Sequence, residues 1–259
     1  MDKEFMKEIK EYKYNLEEVR SGIDKFQIIL YKKINLENMS NDIKSEFDDV
    51  YLDLVTLLRQ MLPSYISPAY HFNKYMDDLY TDIFWDEIKF EMDEEISMAL
   101  REAKFIANLQ GVITSIKTAL DRMVVIFSYY YPGFAWYTTF GHIADNKGKR
   151  FMGKVCELAP RDTLMKFILD EYNSWIKMAV EPRNIIIHYN DLQTGWHFDS
   201  DIPAEIPIHI CNKSMDKKYE SFSFSFITIH EYCDRWYNFF DKVLEHLLKM
   251  DIIYTESRL

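Results

Sequence analysis

Residues 109–127 read Leu-Gln-Gly-Val-Ile-Thr-Ser-Ile-Lys-Thr-Ala-Leu-Asp-Arg-Met-Val-Val-Ile-Phe. Leu109, Val112/Ile113, Ile116, Leu120, Met123/Val124 and Phe127 recur every three or four residues, which is the period of one helix face and not of a strand. The pattern predicts the second half of a long helix over 87–131. Beside the apolar face runs a polar line of Thr114, Lys117/Thr118, Asp121 and Ser128. It reads either as a solvated flank or as a helix wall facing a polar cleft.

The same period extends outward in both directions. Residues 2–34 and 36–62 read as two Glu/Lys-rich helices, with Leu52, Val55, Leu58 and Leu62 as a core-facing stripe in the second. Pro63 and Pro68 are expected to end it, because proline removes an amide donor and clashes with the preceding turn. An aromatic connection then leads to about Trp85. On the other side, residues 132–160 hold four of the seven glycines and read as a long loop, a feature often functional in compact domains. A helix is expected from Asp162 to Val180, with Leu164, Phe167/Ile168, Tyr172, Trp175 and Ala179 inward. Pro182 then marks a kink or a fresh helix start.

Beyond Gly195 the period changes to two. Ile206, Ile208 and Ile210 alternate with other residues, and Ser221 to Phe226 alternates Ser and Phe, so a β-hairpin is expected near 205–227. Pro207 fits an edge strand. Thr228-Ile-His-Glu231 has the spacing of a capping box and opens a helix to about Met250. Ile229, Cys233, Trp236, Phe240, Val243/Leu244 and Leu247 form its buried face. The fold class is therefore mainly α, one helical domain over 1–259 with one β-hairpin.

Composition narrows the function classes. The chain of 259 residues is 48% hydrophobic and 28% charged, ample for a core and unlike a disordered chain. Three widely spaced cysteines imply no disulfide framework and suit a reducing cytoplasm. The first residues lack the apolar core of a signal peptide, and the most apolar stretch, Met123 to Tyr131, is too short to span a bilayer, so no membrane partner is expected. A net charge of −11 argues against broad, nonspecific nucleic-acid binding. Lys147, Lys149, Arg150 and Lys154 are the best local basic patch, readable as an RNA contact or as ordinary solvated surface.

The chemistry concentrates at Glu181-Pro-Arg183-Asn184-Ile-Ile-Ile-His188-Tyr-Asn-Asp191. Arginine can hold a phosphate and histidine can move a proton, and both stand beside three isoleucines that would anchor the turn. On a helix Asn184 and His188 share a face, whereas Arg183 and His188 lie about 140° apart. Arg183 must then curl back or meet a histidine of another subunit. The plainer reading is a helix start in which Arg183 pairs with Glu181 or Asp191 while His188 caps or packs. A zinc set of His209, Cys211, His230 and Cys233 has poor tetrahedral spacing. The acidic run Glu87, Glu91, Glu94, Glu95 and Glu102 lacks the Glu-x-x-His of a di-iron bundle. Neither metal nor cofactor is expected. Glycine-rich phosphate loops and a Gly-x-Ser-x-Gly elbow are absent from the sequence.

Arg183-Asn184-x-x-x-His188 resembles the signature of the RNase-type HEPN superfamily, small helical bundles in which arginine and a polar residue precede histidine. The resemblance covers about 87–250, a HEPN-like core with the hairpin as an insertion, and leaves 1–62 as an N-terminal helical extension. It implies metal-independent cleavage of RNA to 2′,3′-cyclic phosphate and 5′-hydroxyl ends, in a bacterial defence or toxin setting. His188 would be the general acid or base, Arg183 the stabiliser of transition-state charge, and Asn184 the orienting group. Asp121 would support the histidine from a neighbouring helix. Two motifs would face each other across a homodimer, and an antitoxin or other protein partner is in keeping with that setting. Many toxin-type members carry tyrosine two residues after the histidine, whereas here Tyr189 follows directly and Asn190 takes that place. Other superfamily members are non-catalytic modules, which leaves binding of a protein partner or nucleotide-like ligand as the alternative.

Overall fold

The computed structural model describes residues 12–34, 41–79, 92–134, 137–141, 151–179, 208–211, 221–224 and 226–252. The described chain is mainly helical: α1 (Leu16–Ile34), α2 (Asn41–Leu79), α3 (Met92–Phe127), α4 (Phe151–Leu158), α5 (Thr163–Glu171) and α6 (Phe226–Lys249). Two short strands, β1 (Ile208–Cys211) and β2 (Ser221–Phe224), pair antiparallel with Ile208 opposite Phe224 and Cys211 opposite Ser221. No described helix is long and apolar enough to cross a membrane.

The chain divides into two compact units that interleave along the sequence. One comprises residues 1–16, 67–115 and 178–235; the other comprises 17–66, 116–177 and 236–259. The boundaries fall inside α2, α3 and α6, so each of these helices supplies core residues to both.

Helix α3 follows its expected pattern. Leu109, Val112, Ile113, Ile116, Leu120, Met123, Val124 and Phe127 are all buried. So is the anticipated face of α6, from Ile229 through Cys233, Trp236, Phe240, Val243 and Leu244 to Leu247. Helix α6 begins at Phe226, however, so Thr228 lies within it and is not the cap. The helix expected over 2–34 is described from Leu16 to Ile34 as α1, with Tyr14 and Asn15 non-helical before it; residues 2–11 lie outside the described residues.

Two corrections concern α2. It does not stop at Pro63 but continues through both prolines to Leu79. Its buried stripe is Leu54, Leu58, Met61, Tyr65, Ala69, Phe72, Tyr75 and Met76, while Leu52 is 59% exposed. Leu54 thus takes the place expected of Leu52, and the period carries past the prolines without a break. Two nearby carbonyls gain side-chain donors: Arg122 donates to the oxygen of Gln60, and the Tyr237 hydroxyl to that of Tyr65 at 3.1 Å.

The expected loop over 132–160 contains helix α4. Phe151, Met152 and Val155 are buried on it, and the Phe151 ring meets Phe127, Phe134 and Phe140 at centroid distances of 5.0, 5.6 and 5.3 Å. This aromatic cluster offsets the poor helix propensity of Gly153. Asp162 then caps α5, its Oδ1 accepting from the Met165 amide at 2.9 Å and its Oδ2 from the Tyr131 hydroxyl at 3.1 Å. Burial, with the Asp162 charge as a second cause, pushes the Tyr131 phenol well above its ordinary range. After α5 the helix widens into one π turn at Tyr172–Ile176, which brings Tyr172, Trp175 and Ile176 all inward. Trp175 Nε1 donates to Glu171 Oε2 at 2.6 Å across it.

Gly111 is required by close approach. A Cβ there would lie 2.5 Å from both Cγ and Nδ1 of the His71 ring, atoms too near the backbone to swing away. Gly111→Ala should therefore destabilise by about 1–3 kcal/mol despite alanine's better helix propensity. Urea unfolding checks this, and Gly111→Ala/His71→Ala should be less destabilised than the sum of the two single changes.

Candidate functional site

Arg183, Asn184 and His188 lie outside the described residues, as do Lys147, Lys149 and Arg150. Asp121 and Lys154, the remaining residues assigned to the site from sequence, are both described, and each has a defined set of partners.

Asp121 lies on the polar line of α3. One turn earlier, Lys117 is buried and forms an ion pair and hydrogen bond with Asp121 Oδ1. The same oxygen accepts from the backbone amide of Phe140 at 2.8 Å. Phe140 is fully buried, 5.3 Å from Phe151 and 6.3 Å from Tyr172 by ring centroids. Asp121 therefore anchors the chain after α3 and compensates a buried ammonium. Side-chain exposures of 9% for Lys117 and 25% for Asp121 place the pair between the two readings of that polar line: it is neither a solvated flank nor an open polar wall.

Lys154 projects from α4 and donates to Glu157 Oε1 at 2.7 Å, while Arg161 reaches the same carboxylate at 3.9 Å. The Lys154 hydrogen bond holds the Glu157 carboxyl below its ordinary range, opposed by some desolvation and helped by both cations. Any anion approaching Lys154 must compete with this exposed carboxylate.

The arrangement not anticipated from sequence is built on α6. His230 Nδ1 lies 3.3 Å from Asp234 Oδ2, and Asp234 Oδ1 accepts the Tyr14 hydroxyl at 2.6 Å. The imidazole stacks on Tyr14 with centroids 5.1 Å apart and meets the edges of Tyr12 and Phe72, each at 5.2 Å. The carboxylate orients one ring nitrogen, and three aromatic rings fix the plane of the imidazole. Four-residue spacing of His230 and Asp234 was the available signal.

Compared with known proteins, the chain matches no family model, no curated protein and no solved structure.

The Asp121 geometry makes a stability prediction. Asp121→Ala strands the Lys117 ammonium and the Phe140 amide, and should destabilise by about 1–3 kcal/mol. Amide hydrogen exchange should show Phe140 among the most deprotected positions. Adding Lys117→Met should recover part of the loss, because the buried charge goes with it.

Proposed function

We propose that the chain is a metal-independent endoribonuclease of the HEPN type, acting as a cytoplasmic homodimer in a defence or toxin setting. The observation that carries this reading is the Arg183-Asn184-x-x-x-His188 motif set in a mainly helical chain. Described helical residues run to 179, with Ala179 buried, and Arg183 stands four residues further along the sequence. The finer fold belongs to the same proposal: a HEPN-like core over 87–250, the β1–β2 pair as its insertion, and 1–62 as an extension.

In the reaction, the ribose 2′-hydroxyl attacks the adjacent phosphorus while a histidine takes its proton. The P–O5′ bond breaks, and the departing oxygen receives a proton from a second acid, giving a 2′,3′-cyclic phosphate and a 5′-hydroxyl. His188 of each protomer supplies one proton-transfer group, which suits a seam between two motifs. Arg183 holds the charged phosphoryl oxygens as negative charge accumulates. Asn184, four residues before His188 in the sequence, orients it. The basic residues Lys147, Lys149, Arg150 and Lys154 draw in the RNA backbone.

A second reading is a non-catalytic module of the same type that binds a protein partner, such as an antitoxin, or a nucleotide-like ligand. It is favoured by the net charge of −11 and by the engagement of Lys154 with Glu157.

Purified protein incubated with RNA in EDTA distinguishes them. The expected outcome is cleavage leaving 2′,3′-cyclic phosphate ends, lowered about 10²–10⁴-fold by His188→Ala and comparably by Arg183→Ala. Cleavage that needs a divalent metal or survives His188→Ala sinks the mechanism. Folded protein that leaves RNA intact favours the binding module.

A further inference from the structure

Residues Tyr12 to Tyr14 are held in the way a protein holds a bound peptide. The Asn73 side chain makes a reciprocal pair with the backbone of Tyr14: the Tyr14 amide donates to Asn73 Oδ1 at 2.8 Å, and Asn73 Nδ2 donates to the Tyr14 carbonyl at 2.8 Å. This is the pattern a β-strand partner would present, supplied here by one carboxamide on a helix. It recognises non-helical backbone whatever the side chain.

Side-chain recognition is added on either side. The Tyr14 ring stacks on His230 and meets Phe72 edge-on at 5.6 Å, and its hydroxyl ends on the Asp234 carboxylate at 2.6 Å. Lys13 pairs with Asp77, one helical turn along α2 from Asn73. Tyr12 meets the other aspect of His230 edge-on and stays 38% exposed. All of these residues lie within one compact unit. Backbone pairing, an aromatic slot closed by a carboxylate, and an acid for the intervening lysine together define a sequence: aromatic, lysine, tyrosine.

We propose that Asn73 and Asp77 of α2 with His230 and Asp234 of α6 form a peptide-recognition groove for extended segments of that sequence, and that Tyr12–Tyr14 is its built-in occupant. The occupant is tethered through Asn15 to the start of α1, so its local concentration is high and an outside segment must displace it. The fitting partner is a protein presenting an exposed aromatic-lysine-tyrosine segment. The acidic residues of the groove match its cation and would repel an acidic one. This inference does not rest on Arg183, Asn184 or His188.

A fluorescent peptide with the sequence of residues 9–17 tests it by anisotropy against the full chain. Tyr14→Ala empties the aromatic slot in cis, so this variant should bind the peptide at least tenfold more tightly than the unaltered chain does. Adding Asn73→Ala to it should weaken binding at least tenfold. A peptide carrying Lys13→Glu should fail, and Asp77→Lys in the protein should restore it. The proposal is overturned if the Tyr14→Ala chain, with its helical circular dichroism intact, shows no saturable binding, or if Asn73→Ala leaves binding unchanged. Should Tyr14→Ala not fold, Lys13→Glu in the chain releases the occupant by repulsion from Asp77, and the same two outcomes are read with the unaltered peptide.

Discussion

Burial along one face of α2 is the constraint from which much of the described structure follows. Two prolines in a helix interior together cost on the order of 6 kcal/mol relative to alanine. Against that stand eight buried side chains from Leu54 to Met76, and burial of a large apolar side chain stabilises by about 1.5–3 kcal/mol. The apolar face wins by number. Its persistence past Pro63 and Pro68 has consequences for each compact unit, because Tyr65 belongs to one while Phe72, Asn73 and Asp77 belong to the other. Tyr65 meets Tyr237 and Phe240 at 5.2 and 4.6 Å by ring centroids, and Phe72 meets His230 and Tyr14. A helix ending at Leu62 would provide none of these contacts.

What could be read from the sequence was the period, and what could not was whatever overrode it. The faces of α3 and α6 were legible residue by residue, because each is a long amphipathic pattern with no competing signal. The strand segments showed the alternation that β1 and β2 carry into an antiparallel ladder. At α2 the proline signal was correct as local chemistry and was outweighed by packing, a balance invisible without knowing which residues are buried. The stripe was misplaced for a related reason: Leu52 and Leu54 are equally apolar, and only tertiary contacts decide between them. Helix α4 was hidden by neighbouring glycines and lysines. Its stability comes from Phe127, Phe134 and Phe140, none of which is local to it.

The polar residues divide in the same way. Asp121 was recognised as a notable carboxylate, and its partners are Lys117, one turn away, and an amide nineteen residues later in the chain. The first partner is inferable from helical spacing; the second is not. His230 and Asp234 likewise share a helix face in sequence, but Tyr14 comes from more than two hundred residues upstream. The cluster became intelligible only with the fold. The Arg183 motif is the reverse case: its reading rests on local sequence alone, and its residues fall outside the described ones.

Charge placement ties these observations to function. In a chain of net charge −11, a lysine near an acid is the expected situation, and Lys13, Lys117 and Lys154 each have an aspartate or glutamate partner. These pairs differ in what an incoming anion would meet. Lys117 is buried, so drawing it toward a phosphate would take away the cation that balances Asp121, the residue that holds the Phe140 amide. Lys154 and Glu157 are at the surface, where such pairs are weak and salt-screened. Lys13 pairs with Asp77 on α2. Within the described residues, Lys154 is thus the sequence-assigned cation whose partner can be exchanged without disturbing the core, whereas Lys117 is held by its place in it.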